Sequence, residues 1–172
     1  MPWAAAGRRA RSGGGGRDVE AKLAIMRDSR IGSYGVIALL VSFATKLSAL
    51  AAIPDGLVVP CLIASHALAR GVLPVLAANM AYARQDGLAR SSGQPDAGTA
   101  MIAVALAVLI ALLALPSTFA AWATVAAAVS GFVVARLALR QVGGQTGDVL
   151  GAAEQVAETA LLVLLAAKFA QA

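Results

Sequence analysis

The chain predicts an all-α fold: a polytopic transmembrane helix bundle of about five spans, preceded by a short N-terminal interfacial helix. Three observations carry that expectation. Of 172 residues, 59% are hydrophobic and only 13% charged, a balance outside that of soluble domains. Five apolar runs, at about 34–53, 57–80, 99–115, 118–139 and 152–170, are long enough to cross roughly 30 Å of hydrocarbon. Basic residues also fall in alternate connections only. Arg8, Arg9, Arg11, Arg17, Lys22, Arg27 and Arg30 precede the first run, Arg84 and Arg90 follow the second, and Arg136 and Arg140 flank the end of the fourth. The turns Pro54–Gly56 and Pro116–Ser117 carry none. The positive-inside rule then puts the N-terminus and the basic connections on the cytoplasmic face of the membrane.

Residues 1–16 are basic and glycine-rich and are expected to be disordered. They lack the apolar core of a cleavable signal. Residues 17–172 read as one membrane domain. Its first element, Arg17–Asp28, places Val19, Leu23 and Met26 at helical spacing and suits a helix lying along the interface. In the first span Lys46 is expected to snorkel outward. The second span carries Cys61, read as a small buried apolar group, and His66 and Arg70, one helical turn apart. His66 reads as a packing residue, and Arg70 is expected to pair with Glu158 of the fifth span at similar depth. Small residues recur at every fourth position in the third span (Ala103, Ala107, Ala111) and the fourth (Ala123, Ala127, Gly131, Ala135), as in close helix packing within lipid. Tyr34 and Tyr82 mark one interface; Phe119 and Trp122 mark the other.

The net charge of +5 and a pI near 10.1 follow from this topology. The arginines line membrane edges and no nucleic-acid module accompanies them, so the expected partner is the lipid bilayer and not nucleic acid. Gly13–Gly16 and Gly143–Gly144 lack the Gly-Lys-Ser/Thr ending of a phosphate loop. One histidine and one cysteine exclude a zinc spacing.

Unusual polar residues concentrate in three segments on the basic side: Met26–Gly32, Tyr82–Gly87 and Gly143–Glu158. Ionised groups at the edge of hydrocarbon cost about 2.5–3.5 kcal/mol each to place, and this pattern points to one shared site. Asp148, Glu154 and Glu158 are candidate ligands for Mg2+, a hard cation that prefers oxygen. Asp148 also suits a helix cap. Arg30, Arg84 and Arg140 are candidate phosphate binders, and Arg70 is a candidate either for structure or for substrate binding. Asp28, Ser29, Asp86, Gln145 and Thr146 complete the expected substrate contacts, with Asp148 and Arg30 closest to the chemistry.

The segments Lys22-Leu-Ala-Ile-Met-Arg-Asp-Ser-Arg-Ile-Gly-Ser-Tyr-Gly35, Ser65-His-Ala-Leu-Ala-Arg70 and Gly143-Gly-Gln-Thr-Gly-Asp-Val-Leu-Gly-Ala-Ala-Glu154 together resemble the cobalamin synthase family, from about Gly13 to the C-terminus. The resemblance implies a multi-pass inner-membrane phosphotransferase, adenosylcobinamide-GDP ribazoletransferase. In that family the α-ribazole hydroxyl attacks the phosphate on cobinamide, GMP leaves and magnesium assists, closing vitamin B12 assembly. Homo-oligomer formation is left open.

Family members also carry an aspartate-rich D-G-x-x-D-x-x-D-G motif just before the glycine run. Here Met1–Ser12 contains no acid, so the chain looks like a member cut at its N-terminus. Two other readings therefore stand beside the enzyme: a non-catalytic truncated member, and a small polytopic transport or binding subunit with a continuous polar path across the bilayer.

Overall fold

The computed structural model describes residues 15–27, 32–84 and 93–171. Among these, six helices follow one another: α1 Gly15–Arg27, α2 Ser33–Ala52, α3 Asp55–Asn79, α4 Ala97–Ala114, α5 Ser117–Val142 and α6 Gly147–Phe169. The last five are each long and apolar enough to cross a membrane. Their bounds match the predicted spans closely except for α6, which starts at Gly147 and not near 152.

Chain chemistry sets each boundary. Pro54 and Pro116 stand just before α3 and α5, where a fixed φ suits a helix start and ends the helix before it. Asp96 caps α4 by accepting the Thr99 N–H at 2.7 Å. That hydrogen bond, with a second from the Thr99 hydroxyl, holds the Asp96 carboxyl below its ordinary pKa.

Helix α3 is the hub, packed against α4, α5 and α6; α6 also packs against α5 and α2. Small side chains allow this. Cys61, Ala64, Ala69, Ala111, Ala123 and Ala157 are all fully buried, and a Cβ on Gly71 would come within 2.6 Å of the Ala107 methyl. Both small-residue stripes therefore serve as packing seams: Ala107 and Ala111 face α3, and Ala123 and Ala127 lie in the core. Large apolar residues point outward instead, among them Phe43, Met101, Leu113 and Val133. That inside-out arrangement suits a chain whose solvent is lipid.

Helix α1 rests on the end of α5. Leu23 and Met26 pack with Ala138 and Val142, and Lys22 donates to Gln141 Oε1 at 2.9 Å. The stretch expected to be disordered overlaps this helix at Gly15 and Gly16; residues 1–14 lie outside the described residues.

Candidate functional site

At the end of the bundle where α3 and α5 finish and α6 begins, two turns cross. Tyr82 and Gln145 form a short parallel bridge: the Gln145 N–H donates to the Ala81 carbonyl at 2.8 Å, and the Ala83 N–H to the Gln145 carbonyl at 3.0 Å. The Gln145 side chain is buried and donates to the carbonyls of Ala77 and Met80 at 2.9 and 2.8 Å, acceptors left open at the end of α3. Gly143 turns the chain at φ 77°, and a Cβ at Gly144 would collide with the Ala81 carbonyl. Glycine is required at both places. Thr146 then caps α6, accepting the Val149 N–H at 3.2 Å.

This crossing presents Asp148 in the first turn of α6, where the helix dipole favours a carboxylate. Capping falls to Thr146, a correction to the expectation for Asp148: the cap must sit before the first helical residue, and α6 begins at Gly147. Arg84 Nη2 lies 3.0 Å from Asp148 Oδ2, with Arg84 largely buried and Asp148 open to solvent. Three buried polar atoms nearby have no hydrogen-bond partner: Arg84 Nε, Tyr82 Oη and Gln145 Oε1. Each orphan costs about 1–3 kcal/mol, a penalty that an oxygen-rich ligand would relieve at the two donors. Gln145 and Thr146, expected to contact substrate, hold this crossing and the start of α6 together.

A second polar group runs along α6 toward mid-bundle. Arg70 Nη2 is 2.9 Å from Glu154 Oε1. Glu158 sits between Lys46 Nζ at 3.0 Å and His66 Nδ1 at 3.4 Å, the latter without hydrogen-bond geometry. Lys46 also donates to Gln155 Oε1 at 2.7 Å. The expected Arg70–Glu158 pair is thus replaced by Arg70–Glu154. Antiparallel α3 and α6 set up a ladder in which His66 meets Glu158 and Arg70, one turn along, meets Glu154. Depth read from sequence was one turn out. Lys46, expected to snorkel outward, turns inward to the carboxylate. A lysine within a span needs a counterion, a signal in the sequence that would have led to this pairing.

The acids are spread, not pooled. Asp148 and Glu158 are separated by roughly 15 Å along α6 at 1.5 Å per residue, and each of Asp148, Glu154 and Glu158 has its own cation. Among the described residues no group of three or more His, Cys, Asp or Glu could hold a metal ion. By themselves these residues do not fit the magnesium set expected of them. Asp28, Ser29, Arg30 and Asp86 lie outside the described residues.

With this geometry in hand, comparison with known proteins is informative. The family model described as cobalamin-5-phosphate synthase matches residues 12–166. The chain belongs to the cobalamin-5-phosphate synthase family. Adenosylcobinamide-GDP ribazoletransferase of Bradyrhizobium diazoefficiens is 48% identical over 155 residues, covering 90% of this chain and 60% of that protein. The namesake enzyme of Rhizobium meliloti is 44% identical over 165 residues, covering 89% of this chain and 62% of the relative. This cobalamin-5-phosphate synthase family member therefore spans about three fifths of the length of the relatives it matches. No solved structure matches it.

Proposed function

We propose that this chain carries part of the machinery by which adenosylcobinamide-GDP and α-ribazole, or its phosphate, are joined to give adenosylcobalamin, or its phosphate, and GMP. The single observation supporting a site at the Tyr82–Gln145 crossing is the Arg84–Asp148 pair, flanked by unpartnered buried donors on Arg84 and Tyr82. In the proposed step the α-ribazole hydroxyl oxygen forms a bond to the cobinamide-linked phosphorus. The bond from that phosphorus to the bridging oxygen breaks, GMP departs with the electron pair, and the proton lost by the hydroxyl passes through water to the departing phosphate. Arg84 would donate to phosphate oxygens as negative charge shifts onto the leaving group. Asp148 holds the guanidinium in place through one of its nitrogens, leaving Nε for substrate.

Location belongs to the same reading. The basic connections support a crossing that faces the cytoplasm, and the same reading sets it at the inner membrane, where a nucleotide-linked substrate is available.

The transport reading requires polarity at all depths. Among the described residues, charge in the bundle interior stops at Lys46, His66 and Glu158; beyond them the core is Ala49, Ile53, Cys61, Leu161 and Leu165, and Asp55 and Lys168 stand in the terminal helical turns at the far end. The polar groove is blind, which favours the transferase.

GMP release from adenosylcobinamide-GDP, in membranes containing the chain and supplied with α-ribazole, tests the proposal. Arg84→Gln should lower turnover about a hundredfold, the scale for removing one preorganised donor, with Asp148→Asn acting in the same direction at unchanged protein level. Normal turnover in Arg84→Gln would remove it from the site. Absence of GMP release from the unaltered chain would favour the non-catalytic reading.

A further inference from the structure

The face of α3 opposite the ion-pair ladder holds a second feature. Helices α4 and α5 touch only lightly, and between them, against α3, lies an apolar crevice of about 570 Å3. Its α5 wall runs from Thr124 to Leu139, roughly 22 Å at 1.5 Å per residue. Its long axis is that of the bundle, and its length falls within the roughly 30 Å of hydrocarbon. Gly71, Ala107 and Ala128 contribute to its lining, and these short side chains leave it open.

The crevice has a cationic end. Arg136 lines it next to Asn79 and Met80, at the end nearest the Tyr82–Gln145 crossing. The Arg136 guanidinium lies 5.8 Å from the centroid of the Phe132 ring, on the lipid-facing side of α5. No acid among the described residues forms an ion pair with it. An arginine held there requires an anion to offset its desolvation.

We propose that this crevice binds an anionic phospholipid, with one acyl chain along α3 and α5 and the headgroup phosphate on Arg136. A cation above a lipid-facing apolar slot of acyl-chain proportions is complementary to that molecule and to few others in a bilayer. The site is separate from the proposed transfer chemistry, and its test does not depend on activity.

Native mass spectrometry of the full chain, released from nanodiscs holding equal phosphatidylglycerol and phosphatidylcholine, reads the outcome directly. Phosphatidylglycerol should be retained preferentially. Arg136→Gln should reduce that preference about fivefold, the scale for one cationic side chain near an anionic headgroup, while Arg136→Lys keeps most of it. Ala128→Phe, a bulky group at an exposed position in the slot, should abolish retention with Arg136 intact. Both sites face outward, so folding is not at stake. Equal retention of the two lipids, indifference to either disruptive change, or a lipid-free dimer would overturn the proposal. So would loss on Arg136→Gln without loss on Ala128→Phe, since that pattern means phosphate binding with no seated chain.

Discussion

At the scale of single residues, charge neutralisation inside lipid explains most of the polar arrangement. Lys46 and Glu158 are both largely buried at 3.0 Å, and removing one partner leaves the other uncompensated. Glu158→Leu is expected to destabilise the bundle by about 3–5 kcal/mol, while the double change Lys46→Leu with Glu158→Leu recovers most of the loss. Unfolding in mixed micelles measures both; additive losses would show that the two groups do not act as a pair. Asp96 gives a pH-dependent effect with a defined sign. Its folded-state pKa lies below the unfolded value, so the cap stabilises α4 above the usual carboxylate range. That contribution is lost as pH falls through this range toward the lowered value. The protection factor of the Thr99 amide, taken against intrinsic exchange at each pH, should fall as pH drops through that window and stay constant in Asp96→Asn. These residues were legible by type and not by partner. Lys46, Arg70, Glu154 and Glu158 each announce a need for a counterion. Which one they find depends on a register between α2, α3 and α6 that composition does not contain.

Among elements, the Tyr82–Gln145 crossing is the feature on which the candidate site rests. It joins the end of α3 to the start of α6 and so sets Asp148 against Arg84. Gly144 has no room for a side chain because the Ala81 carbonyl occupies the space. Gly144→Ala should cost about 1–3 kcal/mol through lost backbone pairing and should lower the proposed GMP release more than Gly147→Ala, where a Cβ meets nothing within 4 Å. Equal effects of the two substitutions would mean that the crossing does not position the site. The glycines, Thr146 and the acids after them marked this stretch as unusual in sequence. The bridge to Ala81 and Ala83 was not legible there, because it pairs segments more than sixty residues apart through backbone atoms that every residue possesses.

For the molecule as a whole, the connections divide between two ends. Gly32, Arg84, Gly93 and Gly143 belong to the end bearing the crossing, while Asp55 and Ser117 belong to the other, where Phe119 stacks edge-on with Phe169 and Lys168 lies over Trp122. Single cysteines at Gly32 and Gly147, where a Cβ meets nothing within 4 Å, should react with an impermeant maleimide only in inside-out vesicles, and cysteines at Asp55 and Ser117 only in right-side-out ones. The native Cys61, fully buried, should stay silent in both, so no background substitution is needed. Labelling of all four sites from one face would refute the five-span topology.

Hydrophobic run length and helix-stop residues are local properties, so amino-acid order alone determined the number of long apolar helices and most of their limits. It also carried the motifs by which the family is known. Contacts between helices are non-local, and lipid supplies no hydrophobic contrast to pick one helical face over another. Only the packed bundle therefore decided that Arg70 meets Glu154, that Lys46 turns inward to Glu158, and that the acids stand apart. Close approach of small residues around α3, not polarity, selects that register.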